Sequence, residues 1–263
     1  MLMILFGVLD QETAIRHIDF NTLGLLMGMM IIVNITSETG LFNFLAIWSA
    51  KKVKARPISL LVALSALTMV CSAFLDNVTT VLLMVPVTFA ITTKLHIPVV
   101  PFLLTQILAS NVGGTATLIG DPPNIMIGSA VKELTFVAFI ENLTPVVILC
   151  MAAVLFVMDV LYRKQMVTKP ELQAEIMQMD ETKSLKDRKL LARSLFVLGL
   201  TILGFFTHSF THIESSVVAL FGAFLLLLLA GGSQHDVDFS MRKVEWATIF
   251  FFIGLFVAVG GLS

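Results

Sequence analysis

Charge is what this chain has little of. Of its 263 residues 13% are Asp, Glu, Lys or Arg, against about 25% in ordinary soluble proteins. Hydrophobic residues make up 57%, and mean hydropathy is +0.94. That balance points to a polytopic membrane protein rather than a large soluble core. Net charge is −1 and there is no basic arm, so no nucleic-acid partner is expected. Cysteine is scarce as well. Cys71 and Cys150 both lie in apolar runs, with no C-x-x-C or Cys/His spacing that would bind zinc. Both read as reduced, packed residues. Met1 to Leu9 is apolar but lacks a basic n-region and a small-residue cleavage site, so it reads as part of a membrane helix and not as a signal peptide.

What is present is long apolar sequence. A helix needs about 20 apolar residues to cross the hydrocarbon. Candidate segments are Phe20 to Ser49, Ile58 to Thr93, Val99 to Val131, Leu143 to Tyr162, Leu191 to Thr207, Ser216 to Gly231, and Trp246 to the end. Two carry polar interruptions. One is Leu75-Asp76-Asn77-Val78-Thr79-Thr80. The other is Ser110-Asn111-Val112-Gly113-Gly114-Thr115, continuing to Gly120-Asp121-Pro122-Pro123-Asn124. Broken backbone at membrane depth survives only where protein buries it or where it lines a cavity, and broken helices build the sites of secondary transporters. Ile58 to Thr93 is too long for one span and predicts a re-entrant hairpin with its tip at Asp76 to Thr80. Val99 to Val131 predicts a helix unwound around Asn111 to Asn124, because Pro122-Pro123 cannot continue the hydrogen-bond ladder.

Positive charge sets orientation. If the hairpin returns to its side of entry, all of the 17 Lys and Arg except Arg16 and Lys132 fall on one side. The basic loops 51–56 and 163–193 are then cytoplasmic, in a multi-pass protein of the cell membrane. Lys169 to Lys189, polar and mixed in charge, reads as a solvated connector.

An internal repeat appears at an offset of 226 residues: Asp10 with Asp236, Arg16 with Arg242, Thr22 with Thr248, Gly28 with Gly254, and Val33 with Val259. Ile18-Asp19-Phe20 matches Val244-Glu245-Trp246 in character. The charge-based topology makes the copies inverted. The expected fold is therefore an all-α inverted-repeat secondary transporter with a re-entrant hairpin and an unwound helix. Residues 1–162 form the first repeat (hairpin about 58–93, broken helix about 99–131), 163–193 a cytoplasmic linker, and 194–263 the start of a second repeat. That second copy stops before a hairpin of its own, so the expectation is of a chain incomplete relative to a two-repeat transporter.

The stretches Ser72-Ala73-Phe74-Leu75-Asp76-Asn77-Val78-Thr79-Thr80, Ser110 to Thr117, and Ile119-Gly120-Asp121-Pro122-Pro123-Asn124 resemble the ion transporter superfamily. The likeness is to the group of arsenite permeases, NhaD-type sodium/proton antiporters and P proteins, within the citrate-transporter-like membrane domain. It runs through most of the chain. The flanks Ile18 to Thr22 and Ser37-Glu38-Thr39-Gly40, and the Pro-Pro-Asn after Asp121, look most like the P-protein type. The resemblance implies a scaffold domain and a transport domain, with the hairpin tip facing the unwound helix near the bilayer midplane. In relatives of known architecture a Ser-Asn-Thr tip holds sodium and a substrate carboxylate. Here Asn77 matches, while Asp76 and Val78 replace Ser and Thr. A tip carboxylate suits a cation or proton better than an anion.

Intramembrane ionisable residues are functional candidates by default. The candidate ion-binding set is Asp76, Asn77, Thr79, Thr80, Asn111, Gly113, Gly114, Thr115, Gly120, Asp121 and Asn124, with sodium placed at Asn77 and Gly120. Hard oxygen ligands suit such a cation; Thr117 adds another oxygen, and the glycines allow close backbone approach. For Thr79, Thr117 and Asn124, capping broken backbone and ligating an ion are both open readings. Glu38 is a candidate proton relay, with a helix kink as the alternative. His208 and His212 have helical spacing but no third ligand, and read as an interfacial pair. Gly24 and Gly28 form a GxxxG suited to close helix packing.

The expected function is secondary ion transport, coupled to sodium or protons, by sodium/proton antiport or by arsenite or anion efflux. A citrate or organic-anion transporter and a non-transporting half-subunit are the alternatives. An intramembrane aspartyl protease is disfavoured, since Leu75 precedes Asp76 and Leu118 stands where Gly-x-Gly-Asp needs glycine. No enzyme activity and no cofactor beyond Na+ or H+ is expected. The partners expected are the bilayer and a small ion, with a homodimer or a C-terminal half completing the unit.

Overall fold

A computed structural model describes residues 4, 6–131, 133–211, 213–231 and 234–261, except for the side chains of 208–210, 234–236 and 239. His212 and the His208 side chain, where a histidine pair is expected, lie outside this set. The described chain is helical, with no strand among the described residues: α1 Gln11–Arg16, α2 Phe20–Glu38, α3 Leu41–Lys52, α4 Pro57–Ser72, α5 Asn77–Lys94, α6 Val100–Gly114, α7 Pro122–Ala130, α8 Phe136–Tyr162, α9 Pro170–Met177, α10 Arg188–Thr211, α11 Ser215–Ala230, α12 Gln234–Arg242 and α13 Trp246–Gly260. Four of these stretches are long and apolar enough to span a bilayer by length and composition: Phe20–Glu38, Asn77–Lys94, Phe136–Gln165 and Arg188–Thr207. Shorter apolar helices are α4, α6, α11 and α13.

The expected single segment Phe20 to Ser49 is two helices. Asp19 starts α2 by accepting from the backbone N–H groups of Asn21 and Thr22. The helix ends at Glu38, and Gly40 turns the chain with φ +82°, a conformation glycine adopts without strain. A Cβ on Gly40 would also overlap the Ser184 carbonyl. The polar triplet Ser37-Glu38-Thr39 is therefore a helix terminus and not a kink.

One body of the fold is a dense apolar packing of α2 against α11, joined by α10 and α13. The GxxxG pair is the contact: a Cβ on Gly28 would lie 2.6 Å from the Ala219 carbonyl carbon, and one on Gly24 3.0 Å from Ser216 Cβ. The other body is α4, α5 and α6, with α3 alongside.

The connector after α8 is docked rather than solvated. Ile176 and Met166 are buried among Ile47, Leu60, Leu95 and Phe102. Thr168 Oγ1 donates to the Leu95 carbonyl at 2.6 Å, and the Lys186 N–H to the Thr39 carbonyl at 3.0 Å. Lys51 Nζ meets Glu181 Oε2 at 2.5 Å and the Met179 carbonyl at 3.0 Å. That hydrogen bond holds the Glu181 carboxyl below the usual carboxylate range. High polarity in the sequence hid an apolar stripe of Met166, Leu172, Ile176 and Met179 that covers the base of the hairpin.

Candidate functional site

Four helix ends meet in one place. The α4 helix stops at Ser72 and α5 starts at Asn77, with the turn at 73–76. The α6 helix stops at Gly114 and α7 starts at Pro122, with the unwound stretch at 115–121. The tip lies slightly earlier than the expected Asp76 to Thr80. Asp76 is the N-cap of α5 and accepts from Thr79 N–H at 2.9 Å, which places Thr79 and Thr80 in its first turn. The second break is shorter than the expected Asn111 to Asn124. Gly113 and Gly114 stay helical because their missing side chains serve packing: a Cβ on Gly113 would sit 2.2 Å from the Met69 carbonyl oxygen. Pro122-Pro123 open α7, a position where proline is tolerated.

Oxygen atoms converge at this meeting point. A Cβ on Gly114 would lie 2.3 Å from Asn77 Oδ1 and 2.9 Å from the Gly120 carbonyl oxygen. A Cβ on Gly120 would lie 2.5 Å from the Gly114 carbonyl oxygen and 2.7 Å from that of Ser72. The two glycines thus bring three backbone carbonyls and one amide oxygen close together. Ser72 Oγ is 2.8 Å from Asn77 Oδ1 and 2.7 Å from the Ser110 carbonyl oxygen. Its single proton can serve only one of them well. Such a set, rich in acceptors and poor in donors, suits a hard cation. The α4 and α6 carbonyl ends add the negative ends of two helix dipoles.

The unwound stretch is tied back on itself and to the tip. Asn124 Nδ2 reaches the carbonyls of Thr117 at 2.9 Å, Thr115 at 3.2 Å and Gly114 at 3.5 Å. Thr117 Oγ1 donates to the Ala73 carbonyl and accepts from Gly120 N–H at 3.2 Å. These bonds provide the internal partners that unwound backbone requires away from water. Phe74 and Leu75 of the tip pack on Val33 and Phe42, which seats the cluster against α2.

The structure brings Asn77, Gly114, Gly120 and Asn124 together, and Gly113 of α6 supports them by packing on Met69 of α4. It does not bring in all the candidates. Asn111 is exposed and its amide donates to the Ile107 carbonyl of its own helix at 2.8 Å, and Thr115 Oγ1 likewise turns back to the Asn111 carbonyl at 3.0 Å. Asp121 is half-buried at the start of α7, with no capping bond from its side chain. Thr80 is buried and its hydroxyl lacks a partner. Glu38, the candidate relay, pairs with Lys243, whose backbone carbonyl accepts from Asn34 Nδ2 at 3.0 Å.

Two participants are absent from the candidate set. Ser72 ends α4 four residues before Asp76, a spacing visible in the sequence once a tip is assumed. Glu245 stands just before α13, and its Oε1 accepts from Thr79 Oγ1 at 3.4 Å while its Oε2 accepts from Thr248 Oγ1 at 3.1 Å. Thr79 and Glu245 are 166 residues apart in sequence, and no local pattern signals their meeting.

A family model described as "Citrate transporter" matches residues 1–263. The chain belongs to the citrate transporter family. Among relatives of this family member, an uncharacterized transporter of Mycobacterium tuberculosis is 41% identical over 93% of this chain and 56% of its own length. A 46 kDa membrane protein of Mycobacterium leprae is 40% identical over the same shares. The P protein of Homo sapiens is 31% identical over 98% of this chain and 39% of its own length. The chain thus spans about half the length of the mycobacterial relatives it matches. The family description and the name of the Mycobacterium tuberculosis relative are those of transporters.

Proposed function

We propose that the chain binds a monovalent cation, sodium or a proton, where the four helix ends meet, and that this site serves secondary ion transport. The observation that carries the reading is the convergence of Asn77 Oδ1 with the Ser72, Gly114 and Gly120 carbonyl oxygens. Asn77, Gly114 and Gly120 would hold sodium. Asp76 stands one residue away, where a carboxylate can exchange charge as a cation or proton comes and goes.

The family description raises a second reading, an organic anion such as citrate. An anion would use the N-terminal N–H groups of α5 and α7. At α5 the Asp76 carboxylate already takes the Thr79 N–H, and at α7 Pro122 and Pro123 carry no N–H. Both helix starts are therefore poor anion sites, and the cation reading is preferred.

In this reading α4 and α5 form a re-entrant hairpin, with the loops 51–56 and 163–193 cytoplasmic. The offset of 226 residues puts Asp19 and Glu245 at equivalent helix starts, Phe20 and Trp246, which supports an inverted repeat with 194–263 opening its second copy.

The test is sodium binding by the purified protein in detergent, read by isothermal titration at several pH values. Saturable sodium binding that weakens on acidification is expected, with Asn77→Ala lowering affinity at least about ten-fold, the loss of roughly one ligand interaction of 1.4 kcal/mol. Asp76→Asn is expected to flatten the pH dependence. Citrate binding without sodium binding, or an unchanged pH profile in Asp76→Asn, would overturn the reading.

A further inference from the structure

Above the tip, the core between α4, α5 and α6 is unusually polar for buried membrane helices. Ser65, Thr68 and Ser72 of α4, Thr80, Thr88 and Thr92 of α5, and Thr105, Gln106 and Ser110 of α6 are all buried to within 1%. They fall on the inward stripes of the three helices. On α4 the stripe runs Leu61, Ser65, Thr68, Ser72, and on α5 it runs Thr80, Met84, Thr88, Ile91, at the three- and four-residue steps of one helix face. Met84 and Ile91 pack with Leu60, Leu61, Leu64 and Phe102, so the α5 stripe faces the other two helices. Asn77 approaches Gly114 at one end, and Thr88 bonds Gln106 further along. These pairings make α5 and α6 antiparallel, so the polar stripes lie side by side.

Most of these hydroxyls are satisfied within their own helix. Thr68 donates to the Leu64 carbonyl at 2.8 Å, Thr92 to that of Thr88 at 2.8 Å and Thr105 to that of Pro101 at 2.6 Å. Ser65 Oγ and Thr80 Oγ1 are different: both are buried and neither has a partner. Each could turn back to a carbonyl of its own helix, as its neighbours do. A buried hydroxyl left unsatisfied costs about 1–3 kcal/mol. Gln106 uses one of its two N–H groups on Thr88 Oγ1 at 2.9 Å. Hydroxyls that already donate keep acceptor lone pairs free. Thr80 lies three residues from Asn77, roughly 4.5 Å along the axis at 1.5 Å per residue. The polar groups therefore start at the oxygen cluster and lead away from it.

We propose that this seam is a binding site for ordered water, contiguous with the oxygen cluster, in which water bridges the Ser65 and Thr80 hydroxyls and reaches toward the Thr88–Gln106 pair. A buried water makes two to four hydrogen bonds to such groups. The consequence is that the tip is hydrated from inside the hairpin body as well as from its open face. The argument does not rest on the identity of the cation.

Hydroxyl-radical footprinting of the purified protein, read by mass spectrometry, tests it. Met84 is fully buried and stands between Thr80 and Thr88, whereas Met30 is buried in the apolar α2 core and Met177 is exposed. Radicals formed from bound water oxidise what they touch. Met84 is expected to oxidise on the order of ten-fold faster than Met30, and closer to the rate of Met177, as a site holding water requires. In Ser65→Ala/Thr80→Val its rate falls toward that of Met30, while Thr80→Ser, which keeps the hydroxyl, retains it. Met84 as protected as Met30 in the unmodified protein overturns the proposal, as does a Met84 rate unchanged in the double variant. If the double variant does not fold, the comparison of Met84 with Met30 in the unmodified protein decides the matter alone.

Discussion

The two helical bodies bury side chains by different means. Around α2 and α11 the helices run unbroken, and their contact is made by small residues that let backbones approach. Around α4 to α7 two helices stop and two start within the core, and the contact is made by carbonyls, hydroxyls and amides. In a membrane the first kind of packing keeps backbone hydrogen bonds within each unbroken helix. The second kind needs an internal partner for every broken bond. That requirement is what concentrates oxygen atoms at the tip.

The difference can be broken most severely at Gly120. Gly120→Ala would drive a Cβ to 2.5 Å from the Gly114 carbonyl oxygen, against backbone that cannot rotate away. Destabilisation of about 1–3 kcal/mol is expected from such overpacking, with sodium binding lost in the titration. Gly254→Ala in α13 meets nothing within 4 Å and is expected to leave both melting temperature and binding unchanged. Equal effects at the two glycines would erase the distinction between the bodies.

A smaller effect on the oxygen cluster is expected from the docked connector, whatever its cost to local packing. Ile176→Ala removes a fully buried side chain from the base of the hairpin. A cost of about 2–5 kcal/mol to local packing is typical of such truncations, but it falls on a peripheral segment. The readout is faster proteolysis within 163–187, with the sodium affinity at the tip retained.

The smallest effect concerns pH. Glu181 is held below its usual range by Lys51, so its contribution to docking is complete above the unfolded carboxylate value. It is lost as pH falls through the folded value. Cleavage within 163–187 is expected to rise only below about pH 4.5, the ordinary Glu range, and Glu181→Gln to remove that acid dependence. A rise near pH 6 would assign the docking to another group.

Much of the tip could be read directly. Asp76-Asn77 and Gly120-Asp121-Pro122-Pro123-Asn124 interrupt apolar runs, and polar breaks at membrane depth have few uses. The reading overreached at Asn111 and Thr115, because a polar residue beside a break can satisfy itself on its own helix, and at Glu38, because helix ends at a membrane face also attract charge. It missed the docked connector, whose few apolar residues are diluted by charge, and Glu245, which meets Thr79 from 166 residues away.

By itself the sequence determined the class of this protein and marked two of its helix breaks, since hydropathy and proline act locally along the chain. Which oxygens face one another was decided only by tertiary structure. Gly114 and Gly120 matter because they let carbonyls from two different helix breaks approach within a distance that any side chain would occupy, and that is a property of packing between segments.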